Sequence, residues 1–264
     1  MERPNWAPEG VDTERPSAAR VYDYALGGSH NFAVDRELFR KLIETVPDLA
    51  AQARASRAFL RRAVRFCVAQ GVSQFLDIGA GIPTRGNVHE IAPDARVMYV
   101  DTDPVAVAHS RAILAGNERV GVLQEDFCRP EEILGHPDVC RLLDLDQPVA
   151  VLLVAMLHLI PDEDDPAGII ARLRDGIAPG SYLVISHGTA ESRPEVATEG
   201  VQVLQRGRVG ATLRTREQVQ RMFTGFELVE PGIVWIPQWH PDEPAGAGDN
   251  PEQSIMIAGV GRKT

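Results

Sequence analysis

At 264 residues the chain is long enough for one large or two small domains of roughly 150 residues each. Its 44% hydrophobic and 24% charged residues are the composition of a globular protein with a full-sized core, which excludes fibres and a chain disordered throughout. With 27 Lys and Arg against 37 Asp and Glu the formal charge is −10, so the surface repels polyphosphates and nucleic acid is not an expected partner.

Residues 1–17 are polar and Pro-rich with little periodicity, and a loose arm is expected there. They lack the basic start and apolar core of a signal peptide, so export is not expected. The arm leads into Tyr22-Asp23-Tyr24-Ala25-Leu26-Gly27-Gly28, followed by Asn31-Phe32. This stretch suits a lid, with Gly27 and Gly28 for mobility, Tyr22 and Tyr24 for stacking and Asn31 for hydrogen bonding. The plainer alternative is a tight turn joining arm to helix. From Asp35, Leu38, Phe39, Leu42, Ile43 and Val46 recur at helical spacing, and Pro47 stops the run. A second helix over 49–70 places Phe59, Ala63, Phe66 and Cys67 on one face, with Gly71 as its cap. Arg54, Arg57, Arg61, Arg62 and Arg65 cover its other side and are read as a solvated face.

After Gly71, short β-branched runs alternate with helical patterns, the signature of βαβ units and a parallel sheet. Seven strands are expected, at 74–78, 95–100, 120–124, 149–154, 182–186, 226–230 and 255–260, with helices at 86–91, 104–115, 166–177 and 215–223. The fold class is therefore α/β, a doubly wound seven-stranded sheet, mostly parallel with the last strand antiparallel, after an N-terminal helical segment. Residues 1–71 (arm, lid, two helices) and 72–264 (the sheet domain, with an acceptor-side segment near 190–215) are expected to form one compact unit. Residues 232–239 are too aromatic for a plain linker and are expected to pack on the sheet edge or line a pocket. The longest apolar run, 149–160, falls short of the roughly 20 residues that span a bilayer, so no membrane is expected. Cys67, Cys128 and Cys140 are too scattered for a disulfide framework or a metal clip, and a cytoplasmic protein without metal fits them best.

The chemistry gathers at the strand ends. The first strand runs into Asp77-Ile78-Gly79-Ala80-Gly81, a turn that lets a nucleotide approach the backbone. Thr84 stands where a dinucleotide fingerprint needs a third glycine, while Asp77 suits a cofactor with a cationic amino-acid end. Asp101 ends the second strand at the distance where a carboxylate holds both hydroxyls of a ribose. Asp103 before Pro104 reads as a helix cap. Asp126 and Phe127 put a carboxylate and a ring at the third strand tip, either to receive and cover an adenine or as a turn residue and a core residue.

These motifs, with Met156-Leu157-His158-Leu159-Ile160-Pro161-Asp162, resemble those of class I S-adenosylmethionine-dependent methyltransferases, whose fold is Rossmann-like. More narrowly, Tyr22 to Gly28 with Asn31-Phe32, Ile82-Pro83-Thr84 and Pro231-Gly232-Ile233-Val234 are similar to a bacterial methyltransferase family long catalogued as a domain of unknown function. The resemblance implies S-adenosylmethionine as cofactor. Asp77, Gly79 and Gly81 would surround its methionine end, Asp101 would bind the ribose, and Asp126 and Phe127 would bracket the adenine. The backbone near Ala155 and Met156 would accept from its amino group. Tyr22, Gly28 and Asn31 would close over it.

Methyl transfer is an in-line displacement, so positioning can supply most of the acceleration. If the acceptor must lose a proton, His187 and His158, which follow the fifth and fourth strands, are the candidate bases, the alternative for each being a satisfied structural histidine. The acceptor is expected to be a small molecule, in a pocket among the lid, residues 192–215 and the loop carrying Trp235 and Trp239. The mixed charges of Glu191, Arg193, Glu195, Arg206, Arg208 and Arg214 fit a small polar or carboxylate acceptor as much as plain surface. An NAD-dependent oxidoreductase and a non-catalytic S-adenosylmethionine-binding regulator are the alternatives.

Overall fold

A computed structural model of the chain describes residues 7–8, 11–83, 86–242 and 250–264. All seven expected strands form: β1 (Gln74–Ile78), β2 (Arg96–Asp101), β3 (Val120–Gln124), β4 (Ala150–Val154), β5 (Tyr182–Gly188), β6 (Phe226–Leu228) and, after a two-residue β7 (Val234–Trp235), β8 (Met256–Lys263). Their order is β3-β2-β1-β4-β5-β8-β6, with β7 pairing β8. Strands β1 to β5 pair in parallel, and β8 runs antiparallel between β5 and β6. The order reverses direction between β1 and β4, which opens a crevice at their carboxyl ends.

The central strands are buried on both faces and therefore read as continuous apolar runs. Successive residues serve opposite faces. Phe75 packs with Phe59, Ala63 and Cys67 of the long helix α3 (Leu49–Ala69), whereas Leu76 and Ile78 pack with Ile169 and Leu173 on the far side. Ahead of α3 come α1 (Ala18–Ala25) and α2 (Ala33–Thr45), and between strands lie α4 (Val88–Ile91), α5 (Pro104–Ile113), α6 (Pro130–Leu134), α7 (Pro137–Leu142) and α8 (Pro166–Asp175). Helices α9 (Pro194–Arg206) and α10 (Arg216–Arg221) follow β5. Among the described residues no helix is long and apolar enough to cross a membrane.

The sequence reading placed no helix where α6 and α7 form, and three further corrections apply. The stretch containing Tyr22 and Tyr24 is helical, as α1, rather than a loop. Residues 194–206 form α9, an element the sequence did not announce. Two of the five arginines on α3 are not solvated: Arg62 is buried and donates to the carbonyls of Trp239 and Ile236, each at 2.8 Å, and Arg57 faces an internal cavity. Arg54 and Arg65 are exposed as expected.

Those two bonds seat the aromatic loop in the core. Trp239 is fully buried and meets Phe59 and Phe66 edge to face, with ring centroids 5.4 and 5.6 Å apart. Deleting a buried aromatic leaves a cavity as well as losing transfer energy, so Trp239→Ala should cost about 3–5 kcal/mol in urea unfolding. A loss below about 1 kcal/mol would mean that the loop does not brace α3 against the sheet.

Candidate functional site

The site is built at the carboxyl ends of β1 to β4. Gly79 and Gly81 turn the chain out of β1 at φ of 72° and 69°. Gly79 is also constrained by contact, because a Cβ there would lie 2.7 Å from the Met156 Cβ. The turn is tied to β2: the Gly79 N–H donates to the Val100 carbonyl at 2.8 Å, and the Gly81 N–H to Asp101 Oδ2 at 2.7 Å. Asp101 Oδ1 accepts from the Asp103 N–H at 2.8 Å. Asp103 caps α5 as expected, accepting from the N–H groups of Val105 and Ala106 at 2.8 and 3.2 Å. At β3, Asp126 accepts from the Cys128 N–H at 2.9 Å beside the buried Phe127. At β4, Ala155 adopts a left-handed φ of 57°, sparsely populated for a residue with a Cβ, and donates to Ser186 Oγ at 2.9 Å.

One cavity of about 580 Å³ joins these groups. Asp77, Gly79, Gly81, Asp101, Asp126 and Phe127 line it, and so do Ala155, Met156, Tyr22 and His158. Gly28, Asn31 and His187 do not. Asn31 is buried and donates to Asp23 Oδ2 and the Gly28 carbonyl at 2.8 and 3.0 Å, and the His30 N–H donates to the same carboxylate oxygen at 3.0 Å. A Cβ on Gly28 would fall 1.9 Å from Asp23 Oδ1. These residues therefore build a closed turn around Asp23 that sets α1 against α2, and within it Tyr22 reaches the cavity, donating to the Ala53 carbonyl at 3.1 Å. No residue of 232–239 lines the cavity. Thr84, which bears on the dinucleotide alternative, lies outside the described residues. A hollow of about 650 Å³ at Pro93 and 115–119 is shallow and open to solvent, away from every strand tip.

Burial dominates the electrostatics. It pushes Asp77 up to about 7, helped by the charge of Asp101 and opposed by Arg57. It pushes Asp101 up to about 6 against the pull of the Asp103 and Gly81 N–H donors. Arg57 is the functional candidate that the sequence reading missed. Its Nη2 donates to Asn87 Oδ1 at 2.8 Å and to the Gly86 carbonyl at 3.3 Å, while its Nε is buried without a partner. The available signal was spacing, since Arg57 lies four residues after Ala53 and three before Leu60, both buried and cavity-lining.

The two histidines differ. His187 is fully buried, with Nδ1 bonded to the Gly188 carbonyl at 2.7 Å and Nε2 to Arg214 at 3.0 Å, so its lone pair is engaged by the guanidinium. His158 lines the cavity, and its Nδ1 is buried without a partner. Burial, then Arg214, pushes His158 down to about 4, leaving a neutral ring at physiological pH. Arg214 also holds the backbone around His158, donating to the carbonyls of Leu157 and Ile160 at 3.1 and 2.9 Å and to Asp162. Among the described residues no group of three or more His, Cys, Asp or Glu is placed to hold a metal ion.

Residues 4–264 match the model of a family described as S-adenosyl methyltransferase. A crystal structure from Thermobifida fusca YX, described as a "putative methyltransferase", is 41% identical, covers 98% of this chain and 99% of its own, and superposes with a TM-score of 0.93. A DUF574 family protein from Streptomyces avermitilis is 39% identical over 96% of this chain and 99% of its own, with a TM-score of 0.91. The pyocyanin biosynthetic protein PhzM shares the fold at 18% identity, with a TM-score of 0.52 over 86% of this chain and 62% of its own. No curated protein matches the chain.

The raised Asp77 has a consequence for stability. An unfolded aspartate titrates near roughly 4, so folding takes up a proton between that value and about 7. This contribution favours the folded state at low pH and is lost as pH rises through about 7. The ligand-free Asp77→Asn variant should therefore gain melting temperature relative to wild type at pH 8 more than at pH 5.5. An equal shift at both values would contradict the buried, perturbed carboxyl.

Proposed function

Because the chain belongs to the S-adenosyl methyltransferase family, we propose that it methylates a small-molecule acceptor in the cavity at the strand tips. The observation that carries this reading is the convergence of the Gly79–Gly81 turn, the acids of three strand tips and the unpartnered His158 Nδ1 on one cavity. The polar groups present fit the cofactor. Asp77 is buried with no hydrogen-bond partner among the described residues and would pair with the α-ammonium group, and the unpartnered Nε of Arg57 would meet the carboxylate. Asp101, already fixed by two N–H donors, would hold the ribose hydroxyls, with Asp126 and Phe127 at the adenine.

When bound, S-adenosylmethionine supplies an electrophilic methyl group on a sulfonium. The protein's part is to hold the acceptor in line and keep water out. His158, a neutral ring on the cavity wall, would receive the acceptor's proton. His187 acts here as a positioning residue, clamping Arg214 and through it the segment that carries His158.

Calorimetry with S-adenosylhomocysteine tests the cofactor half. Micromolar binding is expected, and Asp101→Ala should weaken it by about 1–3 kcal/mol, the worth of a lost charged hydrogen bond. Pairing with a cation requires ionised Asp77, so affinity should fall as pH drops below about 7, by up to roughly tenfold per unit, and Asp77→Asn should abolish that slope. No binding, or a pH-independent affinity, would overturn these assignments. A second test reads S-adenosylhomocysteine formation with a metabolite panel as the acceptor source. His158→Ala should lower the rate roughly 100-fold or more while leaving cofactor affinity unchanged. An unchanged rate would remove His158 as the base, and no product from wild type with any acceptor would favour a binding protein without turnover.

A further inference from the structure

Beyond the strand tips the cavity continues beneath the helices, and there its walls change character. Val21 of α1, Leu42 and Val46 of α2, and Ala197, Val201 and Leu204 of α9 form this part. The charged residues that line the cavity sit elsewhere: the acids of the β1 to β3 tips with Asp103 and Glu125, Asp164 after β4, and Arg57, whose charge acts on Asp77. The charges that the sequence offered to an acceptor are spent or face solvent. Arg206, Arg208, Glu191 and Glu195 are exposed, Arg193 is paired with Asp48 at 2.9 Å, and Arg214 is committed to Asp162, His187 and two carbonyls.

The polar atoms on these walls are also engaged. The Tyr22 hydroxyl donates to Ala53, and the Gln52 amide donates to Asp48 and accepts from Ser254. The Thr189 hydroxyl accepts from the Glu191 N–H. His158 Nδ1 is the exception, buried without a partner. An apolar chamber bordered by the neutral His158 ring selects against ions, which would lose hydration without compensation, and for a ligand with one polar group to place against that ring.

We propose that this chamber binds the methyl acceptor, and that the acceptor is a neutral, largely apolar molecule with a single hydroxyl or amino group, seated against His158. The proposal rests on the methyltransferase reading above. In the step it implies, a lone pair on the acceptor's oxygen or nitrogen forms the new bond to the methyl carbon. The electron pair of the broken carbon–sulfur bond stays on sulfur, which becomes a neutral thioether, and the acceptor's proton passes to a ring nitrogen of His158.

The experiment uses two fluorescent probes on the full chain saturated with S-adenosylhomocysteine: neutral N-phenyl-1-naphthylamine, and 8-anilinonaphthalene-1-sulfonate, the same ring system with a sulfonate added. The neutral probe should bind at least tenfold tighter than the sulfonate and should not displace S-adenosylhomocysteine. Val201→Asp should weaken the neutral probe at least tenfold, and Ala197→Phe, which fills the chamber without adding charge, should do the same. Both variants should retain wild-type cofactor affinity and melting temperature within a few degrees. Equal or tighter binding of the sulfonate, competition between the neutral probe and S-adenosylhomocysteine, or retention of the neutral probe by both variants would overturn the proposal. A flat calorimetric titration with S-adenosylhomocysteine would instead overturn the cofactor reading on which it rests, and that titration is read independently of either probe.

Discussion

Two carboxyl groups buried on neighbouring parallel strands are the constraint around which the site is arranged. Asp77 and Asp101 lie at the ends of paired strands, where withdrawal from water penalises their charge, with the charge of Asp101 acting on Asp77 and that of Asp103 on Asp101. Asp101 is compensated from the backbone by the Gly81 and Asp103 N–H groups, so it orders the glycine turn and the entry to α5 together. Asp77 receives no such donor among the described residues, and Arg57 acts on it as the opposing charge. A sheet edge built in this way stores an unmet demand for cationic and hydroxyl groups at fixed places.

The helical cover is fastened to that same edge. Arg20 of α1 is buried with Nε 3.0 Å from Asp35 of α2 and Nη1 3.4 Å from Asp103. Asp35 also accepts from the N–H groups of Ser17 and Phe32, at 3.0 and 2.7 Å, and the Ser17 hydroxyl bonds Asp103. Asp103 thus links the backbone that fixes Asp101 to the helices that wall the apolar chamber. Removing one partner from such a buried, fully bonded network costs more than a surface ion pair contributes, because the remaining charge is left unpaired. The polar and apolar halves of the cavity are therefore held in one register.

Much of this was legible in the sequence, for identifiable reasons. The strands buried on both faces, β1, β4 and β5, carry uninterrupted apolar runs and stood out for that reason, while the rhythm of strand and helix located the others. The two-residue β7 is too short to leave such a pattern. Helix α1 was obscured because its eight residues end in the glycine pair that suggested a mobile loop, although that pair instead closes a turn around Asp23. Helix α9 was obscured by the Thr and Gly residues along it, even though Ala197, Val201 and Leu204 recur at helical spacing and Pro194 opens it. Nothing in composition separates Arg57 and Arg62 from the other arginines of α3. Spacing from Ala53 and Leu60 marks Arg57, whereas the burial of Arg62 is made by the aromatic loop closing on it. The engagement of His187 by Arg214 is likewise a tertiary fact, made by groups 27 residues apart.

In this reading one cavity holds cofactor and acceptor end to end, the first on the acidic strand tips and the second in the apolar chamber. A crystal structure of the protein with S-adenosylhomocysteine is the decisive measurement. The ribose should lie on Asp101, the amino group on Asp77 and the sulfur facing His158, with the space between Val46 and Leu204 left clear. S-adenosylhomocysteine lodged in that space, or held away from Asp77 and Asp101, would contradict it.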